Sequence, residues 1–138
     1  MRKVLIATHG KFAEGIRTSL DIIIGKNDDI EVINAYVDDQ VFEDQLKHYL
    51  ESVMDDDILI VMTDLFGGSV NQCVMRHVDV NKTFVITGVN LAIMLEVLLM
   101  PVDNLSRESI QNAIITSREQ LMLVQFDDDD SDDFDALI

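Results

Sequence analysis

The sequence lacks what a disulfide framework, a membrane span or a nucleic-acid surface would need. Cys73 is its only cysteine, so no intrachain disulfide can form and a reducing cytoplasm is the expected location. Its longest apolar runs, Ile58 to Met62 and Leu91 to Leu95, fall far short of the roughly 20 residues that a bilayer-crossing helix requires. The opening Met1-Arg2-Lys3-Val4-Leu5-Ile6-Ala7 has the charged-then-apolar order of a secretory signal. Its apolar stretch stops at Thr8-His9-Gly10, too soon for a signal core, and reads as a buried strand. Positive charge is scarce: ten Lys and Arg stand against 26 Asp and Glu, for a formal net charge of −16. A phosphate backbone needs its counter-charge from Lys and Arg, so no nucleic-acid partner is expected. The charge suits plain solubility and attraction of a basic protein partner equally well. There is no Gly-x-x-x-x-Gly-Lys phosphate loop, and the three histidines are not at metal-ligand spacing. Neither a cofactor nor a metal is therefore expected.

What is present is globular. With 138 residues, 48% of them hydrophobic, the chain can bury a real core in one domain. Seven negative charges fall between Asp127 and Asp135, which leaves −9 for the rest of the chain. The expected division is one domain over residues 1–126 and an acidic, disordered tail over 127–138. Four apolar runs, Val4 to Thr8, Ile30 to Ala35, Ile58 to Thr63 and Thr83 to Thr87, do not alternate with polar residues. That is the pattern of parallel strands covered on both faces. Helical spacing separates them. Phe12, Ile16, Leu20 and Ile23 mark a first face, and Phe42, Leu46, Tyr49 or Leu50, and Val53 a second, with Asp38 or Asp39 as its cap. Further helices start at Ser69, near Asn90 and at Ser106, the last turning Ile110, Ala113, Ile114 and Leu121 inward. Leu121 to Phe126 is either the end of that helix or a C-terminal edge strand. The fold class is α/β: an open, mainly parallel sheet with helices on both faces.

Ligands of such sheets bind at the carboxyl ends of the strands, near a switch point of strand order. Three loops earn a chemical reading: Thr8-His9-Gly10, Thr63 to Ser69, and Thr87 to Asn90. His9 lies one residue past the first strand, and Asp64 holds the equivalent place after the third. In the flavodoxin-like strand order 2-1-3-4 those strands are neighbours, and both side chains emerge on one edge. A carboxylate accepting Nδ1–H would fix the tautomer and leave the Nε2 lone pair free. Gly10, Gly67, Gly68 and Ser69 then offer backbone N–H groups and a hydroxyl to phosphate oxygens. On pattern alone the same loops could be ordinary caps and turns. His48 and His77 read as a solvated residue and a helix-end charge, and Cys73 as a small core residue.

Three segments together resemble the IIA components of the mannose-type (mannose/fructose/sorbose) phosphoenolpyruvate-dependent sugar phosphotransferase system. They are Val4-Leu5-Ile6-Ala7-Thr8-His9-Gly10, Thr63-Asp64-Leu65-Phe66-Gly67-Gly68-Ser69 and Gly88-Val89-Asn90-Leu91. The resemblance spans nearly all of residues 1 to 124. It implies a phosphotransferase that accepts a phosphoryl group on His9 from phospho-HPr, with Asp64 hydrogen-bonded to it, and passes it to a IIB component. It also implies membrane IIC and IID components further along, and a homodimer that exchanges a C-terminal strand. Val70 and Ala92 stand where prolines are usual in the family, a difference that touches rigidity more than chemistry. Alternatives are a IIA-like carrier of a dihydroxyacetone kinase system, or a non-catalytic regulatory interaction domain. A receiver domain would need an acidic pair where Thr8-His9 stands, and a histidine phosphatase a second loop histidine with arginines.

Overall fold

The computed structural model describes residues 1–125. The expectations for Phe126 and for the tail 127–138 lie outside the described residues. Four parallel strands, β1 (Arg2–His9), β2 (Ile30–Ala35), β3 (Ile58–Thr63) and β4 (Thr83–Thr87), form one sheet in the order β2-β1-β3-β4. Between and after them run α1 (Phe12–Ile24), α2 (Phe42–Leu50), α3 (Ser69–His77), α4 (Leu91–Leu99) and α5 (Arg107–Arg118), with a 3₁₀ turn at Val102–Asn104.

The unbroken apolar runs are explained by two separate cores. Val4, Ile6, Ile60, Met62 and Ile86 point to one face, against Ala13, Ile16 and Leu20 of α1 and the buried residues of α4 and α5. Leu5, Ala7, Ile33, Leu59 and Val61 point to the other, against Phe42 and Leu46 of α2 and Val70, Cys73 and Val74 of α3. Successive strand side chains alternate in direction, so a strand covered on both sides needs apolar residues at every position. Each fully buried Leu, Ile or Val contributes about 1.5–3 kcal/mol relative to exposure.

Several expected details differ. β1 runs to His9, which is its last residue rather than the one beyond it. On α1, Ala13 joins Ile16 and Leu20 in the core, while Phe12 and Ile23 are half exposed. Neither Asp38 nor Asp39 caps α2. Its N-cap is Val41, and the Asp38 carboxylate accepts instead from the Gln40 N–H at 2.9 Å, the local turn that a short acidic side chain favours. Leu121 does not face inward. It is 88% exposed, and residues 121–125 form neither a helix end nor a strand. Ser106 does cap α5, in a reciprocal pair with Ser109. Asn90 caps α4 and also donates to the Ser117 carbonyl, tying α4 to α5.

The start of α1 is fixed by a buried hydroxyl. Thr8 Oγ1 accepts from the Ala13 N–H at 2.8 Å, one of the orphan donors of the helix's first turn. This bond sets the path of His9 to Phe12. Thr8→Val keeps the shape and removes the acceptor, so it should destabilise the chain by about 1–2 kcal/mol. Urea unfolding measures this directly; an unchanged midpoint would mean that the hydroxyl does not hold the helix.

Candidate functional site

The sheet register brings the proposed pair together. β1 and β3 pair in parallel with Ala7 opposite Thr63, so the chains beyond them leave the sheet side by side. His9 Nδ1 lies 2.8 Å from Asp64 Oδ2, and the His9 backbone N–H donates to the same oxygen at 3.0 Å. Asp64 Oδ1 accepts from the Leu65 N–H. Burial alone would raise the Asp64 pKa, but hydrogen bonds from the His9 backbone and ring outweigh it and hold the carboxyl below its ordinary value. The carboxylate is therefore ionised at neutral pH and can only accept.

With the ring neutral, that orders the donors of the site. Nδ1 must carry hydrogen to bond Asp64, so in the neutral ring Nε2 is the acceptor. Ser69 Oγ, 3.2 Å from Nε2, must donate to it. Tyr36 Oη, 2.7 Å from Ser69 Oγ, must in turn donate to the serine. The chain Tyr36, Ser69, His9, Asp64 is polarised in one direction, with the Nε2 lone pair facing outward under a serine hydroxyl. His9 is 40% exposed, and Asp64 is largely covered.

Two residues of this arrangement were missed by sequence reasoning. Tyr36 follows β2 with φ of 67°, the one non-glycine residue among those described with a left-handed backbone. A bulky side chain in that region is strained and often marks a site. Its ring stands 5.5 Å from the His9 ring. Asn71 is buried in α3; its amide donates to Thr63 Oγ1, and its oxygen accepts from the Gly67 N–H, pinning the Asp64 loop at both ends. Nothing in a lone Tyr or Asn after an apolar run signals either role.

The glycines act differently from expectation. The N–H groups of Gly10, Gly67 and Gly68 already donate within the protein, to Ala35 O at the end of β2, Asn71 Oδ1 of α3 and Leu65 O. Gly67, with φ of 76°, lets the loop turn. A Cβ on Gly68 would lie 3.4 Å from His9 Cε1, so its bareness lets α3 approach the ring. The donors left for an anion are Ser69 Oγ and the first-turn N–H groups of α3, which no intrahelical carbonyl can take. Leu65 and Phe66, next along the same loop, are 62% and 87% exposed. His48 is solvated. Cys73 is buried, which pushes its thiol up in pKa and makes it a poor nucleophile. Among the described residues, the one cluster of three metal-capable side chains lies elsewhere, at Glu43, Cys73 and His77.

With this geometry in view, similarity to known proteins is decisive. The profile of the PTS system fructose IIA component family matches residues 3–114. The chain belongs to that family. A phosphotransferase-system component EIIA from Streptococcus agalactiae is 27% identical, with 90% of this chain and 97% of that one covered, at a TM-score of 0.68. A Klebsiella pneumoniae protein, provisionally described as a phosphoenolpyruvate-dependent sugar phosphotransferase system permease, is 30% identical, with 88% and 90% covered, at 0.82. A mannose/sorbose-specific IIA subunit from Enterococcus faecalis, 22% identical with 92% and 97% covered at 0.79, shares the fold. This IIA chain is thus a component of a sugar phosphotransferase system. No helix among its described residues is long and apolar enough to cross a membrane.

Because the folded Asp64 pKa is lowered, the His9–Asp64 bond stabilises the IIA fold fully above about pH 4 and loses its effect as pH falls through the folded value. Asp64→Ala should destabilise by about 1 kcal/mol at pH 7, discounted for the exposure of His9. The difference from wild type should shrink below about pH 4. Denaturation at pH 7 and pH 3 tests this; an equal difference at both would detach the effect from the carboxylate's charge.

Proposed function

We propose that His9 Nε2 accepts a phosphoryl group from phospho-HPr and hands it to a IIB component, which passes it toward sugar entering through membrane IIC and IID components. The observation that carries this reading is the one-directional hydrogen-bond chain, which leaves a nucleophilic lone pair aimed outward at a helix start. In the transfer, the Nε2 pair forms the new N–P bond as the donor's bond to phosphorus breaks, and that bonding pair stays with the donor. In the neutral ring Nε2 carries no proton, so none need leave His9. The ring becomes positively charged, and Asp64 stabilises the Nδ1–H that remains. Ser69 Oγ–H, released from Nε2, can turn to a phosphoryl oxygen, joined by the first N–H groups of α3. Delivery to IIB is the reverse displacement.

Two further features favour a protein donor over a small molecule. A groove of about 780 Å³ runs along β2 and α2 past Tyr49 and is not lined by His9. The Tyr36 ring stands beside the histidine instead, Leu65 follows Asp64 directly, and both are exposed, as apolar groups at an open docking surface are. The incoming group is already activated, so positioning and charge placement supply most of the acceleration without a nucleotide or metal. In this reading the chain works in the cytoplasm as a homodimer. The outer edge of β4 is unpaired among the described residues, and Leu121 to Val124 form an exposed apolar run that could pair outside its own chain. A dihydroxyacetone kinase carrier is disfavoured by the Asp64-to-Ser69 loop that organises the histidine.

Incubation with phospho-HPr should load one acid-labile, alkali-stable phosphoryl group per chain, and His9→Ala should take up none. Asp64→Ala should slow loading by about 10 to 100-fold, as loss of an orienting partner does. Stoichiometric loading of the His9→Ala chain would sink the proposal.

A further inference from the structure

On the face of the sheet opposite α1, α2 and α3 pack side by side, and their surface carries a second cluster of chemistry-bearing side chains. Cys73 and His77 stand one helical turn apart on α3 and so share a face. Glu43, in the first turn of α2, lies across from them. One ligand-capable atom of each, the Cys73 sulfur, a His77 ring nitrogen and a Glu43 carboxylate oxygen, lies within 4.8 Å of the other two. His77 Nε2 lies 3.5 Å from Glu43 Oε1. Tetrahedral zinc, with bonds of about 2.0–2.3 Å, sets its ligand atoms roughly 3.3–3.8 Å apart. The cluster therefore needs only side-chain adjustment to close on an ion.

We infer that Glu43, Cys73 and His77 form a binding site for a zinc-like divalent cation, with water in the fourth position. The donor set decides the class. A thiolate and an imidazole select a borderline metal, and an all-oxygen cation such as magnesium or calcium would find one good ligand of three. On coordination the thiol gives its proton to water and the sulfur binds as thiolate. The ion would link α2 to α3 and is separate from the phosphoryl chemistry at His9. Two cations oppose it. Lys47 pairs with Glu43 at 3.2 Å, and Arg76 lies close enough to act on both Glu43 and Cys73. Lys47 is half exposed on a flexible stem, so the ion can displace it into solvent.

The test titrates the purified, chelator-stripped chain with Co²⁺ and, separately, with Zn²⁺. Co²⁺ should bind one per chain and give a thiolate-to-cobalt charge-transfer band. Zinc at about 100 times its Kd should raise Tm by several degrees. Cys73→Ser should abolish the band, and His77→Gln and Glu43→Gln should each weaken binding by at least about tenfold. Both of the latter replace part-exposed side chains by near-isosteres, so they remain readable even if Cys73→Ser folds poorly. Cys73→Ser, if folded, should still accept a phosphoryl group on His9, and His9→Ala should keep the cobalt band. No band in the wild-type chain, a band that survives Cys73→Ser, or a zinc-induced Tm shift unchanged in His77→Gln would each overturn the site. Loss of the band in His9→Ala would also overturn it, since the metal would then sit on the phosphoryl-acceptor histidine.

Discussion

The hydrogen bond between His9 and Asp64 depends on the pairing of two adjacent parallel strands that are far apart in sequence. Ala7 lies opposite Thr63, and both functional side chains emerge within two residues of that pair. A strand advances about 3.3 Å per residue, so a slip of one residue would carry Asp64 out of reach of Nδ1. It would also turn every buried side chain of β3 toward the wrong helix layer. The two cores on either face of the sheet thus lock the register that the His9–Asp64 bond needs. Packing and chemistry are one constraint here.

From that bond the rest of the site follows by elimination of proton positions. An ionised carboxylate cannot donate, a neutral imidazole has one donor, and a serine between an acceptor and a tyrosine must pass its proton on. The strained Tyr36 backbone, the bare Gly68 and the buried Asn71 all hold this one arrangement. The strain at Tyr36, of order 1–3 kcal/mol, is sustained because the ring, the hydroxyl and the preceding strand each have a fixed place. The partly exposed His9 sits on an open edge, which suits a group exchanged between macromolecules better than a substrate enclosed in a cavity.

Sheet order, strand positions and the meeting of His9 with Asp64 were legible in the sequence, because apolar runs without alternation admit few other parents. Three motifs at three strand ends also carried the family. What was not legible depends on contacts between distant segments. Phe12 and Ile23 satisfy helical spacing, yet the helix turns Ala13 inward, because the buried face is set by what α1 packs against. Leu121 satisfied the spacing of α5 but follows its last turn. The phosphate-binding role read into Gly10, Gly67 and Gly68 did not foresee that these N–H groups already have acceptors within the protein. Tyr36, Asn71 and the Glu43–Cys73–His77 cluster each join elements that only the fold makes neighbours.

The central claim is that Asp64 holds the Nδ1 proton and so directs the phosphoryl group to the other nitrogen of His9. Nitrogen-15 and phosphorus-31 spectra of the loaded chain, labelled in its histidines, read the attachment site directly. The account predicts phosphorus bonded to Nε2, with Nδ1 still protonated. Phosphorus on Nδ1, or an acyl phosphate on Asp64, would contradict it.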